Sequence, residues 1–162
     1  MKKGFTIIES LVAISILLVA IAGAGSAIQT GISSYIFSKD QIIAFYLAQE
    51  GFEQIRNIRD ENVLNGRSWL TGLALGTTYF TDATQGTLTA CPGSCPVVRQ
   101  DSVSGAYGHV RAWLPTVFRR EIRLERISID NSHEIAIHVT INWNKGATPR
   151  QFVARENIFN WQ

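Results

Sequence analysis

With 162 residues, 15 Lys or Arg and 13 Asp or Glu, the chain carries a formal charge of only +2. Lys2 and Lys3 supply that excess, so no strong field is available to gather phosphates, and nucleic acid is not an expected partner. The length allows one small domain of about a hundred residues behind an N-terminal segment, rather than two.

The N-terminal segment leads from Met1 through Glu9 into a run, Ser10 to Ser38, that contains no Asp, Glu, Lys or Arg. At ~1.5 Å per residue the apolar stretch from Ser10 to Ile28 is long enough to cross a hydrocarbon core of ~30 Å. The lysines ahead of it face the cytoplasm by the positive-inside rule. Glu9 does not suit a plain anchor: a carboxylate deep in a membrane costs about 2.5–3.5 kcal/mol and calls for a partner or a task. A secretory signal peptide is the competing reading, because Ala20-Ile21-Ala22 and Ala22-Gly23-Ala24 both have the small-x-small cleavage pattern. Against it stand Glu9 itself and the uncharged, fairly apolar sequence that continues past those cuts through Ile28, Ile32, Tyr35, Ile36 and Phe37.

Lys3-Gly4-Phe5-Thr6-Ile7-Ile8-Glu9 resembles the class III leader junction of type IV pilins and of the pseudopilins of type II secretion systems, with Ile7 where Leu is commoner. The resemblance implies that prepilin peptidase cuts between Gly4 and Phe5, methylates the new amine of Phe5 and leaves the apolar helix in the product. It also implies a division into leader (1–4), transmembrane and filament-core helix (5–30), amphipathic second half of the helix (31–62) and β-rich head (63–162). The implied partners are prepilin peptidase, other pilin or pseudopilin subunits and, before assembly, the membrane. The implied location is the inner membrane, single-pass with the head outside the cytoplasm, and then an extracellular or periplasmic filament. Glu9 lies four residues beyond Phe5, on the same helix face, so its carboxylate can pair with its own chain's amine or with that of an adjoining subunit. The family's assembly scheme implies the second.

Gly23, Ala27 and Gly31 recur at intervals of four and place small residues on one helical stripe, where backbones could approach closely. The same glycines, with Gly25, also lower helix propensity by ~1 kcal/mol each, an equally good reading in which the helix bends or partly unwinds. From Lys39 the pattern becomes amphipathic. Ile42, Phe45, Phe52 and Ile55, with Ile43 and Leu47, form the expected apolar face, while Glu50, Glu53, Arg56 and Asp60 supply charge. Arg56 and Arg59 suit a C-terminal end, and Asn65-Gly66 gives the stop. The stretch from Ala44 to Glu53, followed by Arg56-Asn57-Ile58-Arg59-Asp60, is also similar to minor pilin and pseudopilin sequences.

Asn65 to Thr89 is rich in Gly and Thr with scattered apolar residues, which predicts a long, weakly regular connection with short strands. Ile135, Ile137, Val139, Ile141 and Trp143 alternate with Ala136, His138, Thr140 and Asn142, the pattern of a strand with one buried face. Phe118, Ile122 and Leu124 alternate likewise. Ile127 and Ile129 then fall on the opposite parity, which predicts a bulge near Arg126. Asp130-Asn131-Ser132 and Asn144-Lys145-Gly146 read as turns, the latter leading to a last strand around Gln151 to Ile158. The predicted fold is α+β: a long N-terminal helix packed on a C-terminal antiparallel sheet, as in type IV pilins.

Cys91-Pro92-Gly93-Ser94-Cys95 reads first as a disulfide formed after export, bracing a local turn, with free thiols as the alternative. His109, His133 and His138 are too dispersed for a ligand motif, so no metal and no cofactor are expected. A redox role is disfavoured by three residues between the cysteines where thioredoxin-like sites have two. Arg119, Arg120, Arg123 and Arg126 form a basic cluster, but Glu121, Arg123 and Glu125 should share one strand face and interleave their charges. Trp143 and Trp161 read as packing or subunit-contact residues. No nucleophile elbow, Gly-rich phosphate loop or paired helical His motif occurs, so an enzyme is not expected. The expected function is that of a filament subunit. The alternatives are a membrane-anchored or secreted binding domain without a filament role, and a competence-type DNA-uptake pseudopilin.

Overall fold

The computed structural model describes Gly4 and residues 6–82, 86–91, 93–127 and 133–160. Its elements are a helix α1 (Ile7–Leu64) and strands β1 (Thr78–Asp82), β2 (Thr87–Ala90), β3 (Val97–Gln100), β4 (Tyr107–Gly108), β5 (Leu114–Arg126), β6 (Glu134–Lys145) and β7 (Thr148–Phe159). The chain forms two compact units, Met1–Gln41 and Ile42–Gln162.

The 58-residue helix is possible because the first proline of the chain is Pro92. Thr6 starts it: its Oγ1 accepts from the Glu9 backbone N–H at 3.3 Å, with the Thr-x-x-Glu spacing of a capping box. Gly66 ends it. There φ is +66°, the Gly66 N–H reaches the Val63 carbonyl at 3.0 Å, and the Arg67 N–H reaches that of Asn62 at 2.8 Å. These are the paired bonds of a Schellman end, so Asn65-Gly66 acts as the predicted stop.

In the first unit every residue from Ile7 to Ile36 is exposed, Gly23, Gly25, Ala27 and Gly31 included, and the helix is unbroken at the glycines. Its hydroxyls bond back within the helix: Ser15 Oγ donates to the Leu11 carbonyl at 2.8 Å and Thr30 Oγ1 to that of Ser26 at 3.0 Å. Both donating hydroxyls are satisfied within the helix, which suits an apolar surrounding.

The second unit holds the core. β5 is the hub of a seven-stranded sheet, pairing with β6 on one side and with β1 and β3 on the other, while β7 continues from β6, β2 from β1 and β4 from β3. Every pairing is antiparallel. Ile135, Ile137, Val139, Ile141 and Trp143 are all buried, as their alternation predicts. Lys145 and Thr148 flank a two-residue loop with Gly146 at φ +61°, the arrangement of a type II′ hairpin turn.

The seam between helix and sheet differs from the expected one. Ala44, Leu47, Ala48, Gly51, Phe52 and Ile55 are buried, whereas Ile42 and Phe45 remain 56% and 47% exposed. The reason is proximity: small residues let the helix lie close to the sheet, and a Cβ on Gly51 would stand 3.3 Å from Ile122 Cδ1 and from Val139 Cγ1. Gly51→Leu should therefore destabilise the head by about 1–3 kcal/mol through overpacking. Gly51→Ala should be nearly neutral, its helix-propensity gain of roughly 1 kcal/mol offset by the tight contact. Urea unfolding followed by tryptophan fluorescence separates the two, and equal midpoints for Gly51→Leu and the unaltered protein would contradict the close seam.

Among the described residues there is no bulge at Arg126. The β5–β6 ladder runs without a shift from Arg119↔Asn142 to Arg126↔Ile135, and Ile127 lies beyond the strand, 38% exposed. Ile127 falls on the opposite parity because the chain has left the strand there. The irregularity occurs instead between Val97 and Arg99, where β3 shifts against β5. Ile129, the Asp130-Asn131-Ser132 turn and Trp161 lie outside the described residues.

Candidate functional site

At the N-terminal junction Gly4 and Thr6 are exposed, and nothing lies within 4 Å of a Cβ built on Gly4. The backbone there is open to an approaching enzyme. Met1, Lys2, Lys3 and Phe5 lie outside the described residues. Glu9 sits in the first turn of α1, where a carboxylate complements the helix dipole, and among the described residues its side chain makes no ion pair. Behind it the helix is long and apolar enough to cross a membrane, with a mean hydropathy of 2.5 over its best 18-residue window. Gly23, Ala27 and Gly31 lie on this exposed length, with open space above both glycines.

Residues 1–25 match the prokaryotic N-terminal methylation motif. That match, with the long N-terminal helix followed by an antiparallel sheet, fits a type IV pilin-like chain. No curated protein and no solved structure matches it. The class III leader is the kind that prepilin peptidase processes. The exposed apolar helix behind the leader has the length and composition to anchor the chain in a membrane.

The head of this pilin-like chain carries a second constellation, which sequence reasoning missed. Arg120 is fully buried. Its Nη1 donates to the Leu47 carbonyl at 3.0 Å and to Glu50, and its Nη2 donates to the Thr81 carbonyl at 2.9 Å, so one guanidinium joins α1, β5 and β1. The parity of Phe118, Ile122 and Leu124 is the signal that could have found it, because Arg120 shares their inward face. The basic cluster is thereby split. Arg119 donates to the Cys95 carbonyl, Arg123 pairs with Glu125 at 3.0 Å and Arg126 is exposed at the strand end.

Cys91 and Cys95 form a disulfide whose Cα atoms are 5.1 Å apart, and Cys95 is fully buried. The bridge closes the short connection between β2 and β3. His138 Nε2 lies 3.5 Å from Glu125, while His109 is tilted against Phe80 with ring centroids 4.8 Å apart. Among the described residues no three His, Cys, Asp or Glu side chains are placed to hold a metal ion. Trp143 is buried and packs on Phe118 at 5.9 Å.

Burial pushes the His109 pKa down, and the Arg120 cation pushes it further. Asp82 and the backbone at Thr81 and Pro96 act in the opposite direction without prevailing. The folded head thus favours neutral His109, and the unfolded chain binds the extra proton as pH falls through about 6.5. Stability should be level above that pH, decline below it and level again once the folded state is protonated. In His109→Gln this part of the decline should vanish, as thermal unfolding at pH 7.5 and pH 5 would reveal. An unchanged acid loss in the variant would rule His109 out as its source.

Proposed function

We propose that the chain is a structural subunit, a minor pilin or pseudopilin, made as a prepilin with a four-residue leader, cleaved after Gly4 and built into a filament through its N-terminal helix. Its work is assembly rather than catalysis. The observation that carries the reading is the order of parts at the junction. A match to the methylation motif spans residues 1–25, so the processing site precedes the apolar helix and cleavage leaves that helix attached to the head. A helix with 0% of its apolar window buried needs lipid first and other helices after leaving the membrane. The head, which has its own core in residues Ile42–Gln162, supplies contacts to other subunits or to outside targets. Export by this route places the head outside the cytoplasm, where the Cys91–Cys95 disulfide is stable.

Mass spectrometry of the mature N-terminus tests the reading. N-methylated Phe5 is the expected terminus, and a chain that starts near Gly23 or Gly25 would make this a secreted protein with a removed signal peptide. A DNA-receptor role has less support, since Arg119, Arg120 and Arg123 are each engaged within the head.

A further inference from the structure

The sheet has one long open edge. β7 pairs with β6 on one side, and among the described residues no strand pairs with its other side. The Asn160 N–H donates to the His133 carbonyl at 2.8 Å, one step beyond the Phe159↔Glu134 register, which sets the phase of the ladder. Residues of an antiparallel pair turn their N–H and C=O groups alternately toward and away from the partner. Ile158, Glu156, Ala154 and Phe152 therefore bond to β6, while Gln151, Val153, Arg155 and Asn157 turn their backbone N–H and C=O groups to the free edge.

Beside this edge lies a groove of about 410 Å³ whose walls come from α1 and β7. Phe45, Gln49, Phe52 and Arg56 recur at helical spacing and form one wall, on the flank of α1 next to the seam carried by Ala44, Ala48, Gly51 and Ile55. Phe45 meets Phe152 edge-on with ring centroids 6.2 Å apart, and Arg56 Nε donates to Glu156 at 3.1 Å. This part of α1 thus runs beside β7 in the same direction. The inward side chains of β7 at Phe152, Ala154 and Glu156 are only half-buried, and Phe45 is 47% exposed. At the far end one cation, Arg56, faces two carboxylates, Glu53 and Glu156, which leaves a net negative charge there. A strand added to β7 would take the next place in the sheet, about 4.8 Å away, and turn alternate side chains under this flank.

We propose that the free edge of β7 and this groove bind an extended segment of another polypeptide by strand addition, with two apolar side chains and one Lys or Arg turned toward α1. The alternating main-chain donors and acceptors call for an extended backbone, and the pockets beside them choose its side chains. Antiparallel order follows the rest of the sheet, in which every pairing is antiparallel. The apolar side chains then stand opposite Phe152 and Ala154, on the side of Phe45 and Phe52, and the cation stands opposite Glu156 with Glu53 near it. An inward carboxylate on an edge strand discourages indiscriminate pairing, so Glu156 selects for a basic residue at that position. A second copy offering its own β7 fits poorly. Because α1 follows the direction of β7, antiparallel pairing of two β7 edges would set the two helices in opposite directions, against the common direction that the proposed filament imposes.

The probe is the peptide acetyl-Thr-Lys-Thr-Val-Thr-Val-Thr, carrying a fluorophore on its C-terminal amide, titrated with full-length protein in detergent and read by fluorescence anisotropy. Binding should saturate, and replacing the lysine of the peptide by glutamate should weaken it about tenfold, since attraction gives way to repulsion. N-methylation then separates strand pairing from simple contact. In the antiparallel register the threonine amides of the peptide face β7 and the valine amides face solvent. Methylating the two inner threonine nitrogens should abolish binding, while methylating both valine nitrogens should leave it within about threefold. Val153→Pro removes an edge donor that does not serve β6, so the head should fold and bind the peptide about tenfold more weakly or worse. The proposal is overturned by the absence of saturable binding, by equal affinity of the two methylated peptides, by equal affinity of the lysine and glutamate peptides, or by full affinity in folded Val153→Pro. Sedimentation of the protein alone covers the other occupant: a dimer that Val153→Pro dissolves would assign the edge to a second copy and likewise overturn the proposal.

Discussion

Glu50→Ala should destabilise the head by about 3 kcal/mol, more than removal of the arginine it faces. Arg120 is fully buried and cannot turn to water when its counter-charge is lost, whereas the Glu50 side chain is about a third exposed, at 32%. The Leu47 and Thr81 carbonyls would still accept from the guanidinium and keep the loss toward the lower end of the range for broken buried pairs. Arg120→Met removes the cation itself, keeps most of the side-chain volume and leaves Glu50 able to reach solvent, so it should cost roughly 1–2 kcal/mol. The double variant should then be close to Arg120→Met alone, giving a large coupling energy between sites that touch. Urea unfolding of the four proteins measures all of this. If Glu50→Ala proved milder than Arg120→Met, the bridge would be a surface pair of small value rather than a buried one.

That bridge also shows why the sequence was legible in some places and not in others. The β6 strand was plain because five large residues alternate with polar ones over Ile135 to Trp143, and a single period of two survives any detail of packing. The C-terminal end of the helix was readable from Asn65-Gly66, since capping depends on neighbours in the chain. The packing face of α1 was legible only in part: Leu47, Phe52 and Ile55 are buried as expected, but Ala44, Ala48 and Gly51 enter it by being small. Counting large apolar residues selected Ile42 and Phe45 instead, which stay exposed. Arg120 was grouped with Arg119 and Arg123 by adjacency, although a strand sends adjacent side chains to opposite faces. The short strands β1 to β4 have at most five residues each, too few to display a period. The free edge of β7 is a matter of strand order, and strand order is a property of pairing between segments that no local pattern encodes. The leader junction is the opposite case: an enzyme must read it as a linear segment, so its information is all in the chain.

Glu9→Ala should leave membrane insertion intact, or improve it, while incorporation into filaments falls by an order of magnitude or more. Removing the carboxylate relieves a cost of about 2.5–3.5 kcal/mol for an acidic group lying deep in the bilayer. What is lost is an attraction to the amine of Phe5, own or neighbouring, of about 4 kcal/mol at ~4 Å and an effective dielectric near 20. Glu9→Gln should behave like Glu9→Ala, because shape without charge does not restore the pair. A competing role exists at the same residue. Thr6 Oγ1 already accepts from the Glu9 N–H at 3.3 Å, and a capping box that starts the helix is worth about 0.5–2 kcal/mol without any partner subunit. Thr6→Ala separates the two, since it weakens the cap and keeps the carboxylate. Immunoblots of membrane and sheared-filament fractions provide the readout. Loss of incorporation in both glutamate variants with near-normal incorporation of Thr6→Ala assigns Glu9 to charge pairing. Losses in Glu9→Ala and Thr6→Ala with near-normal incorporation of Glu9→Gln, whose amide can still complete the capping box, assign it to helix initiation, and undiminished incorporation of Glu9→Ala removes it from assembly altogether.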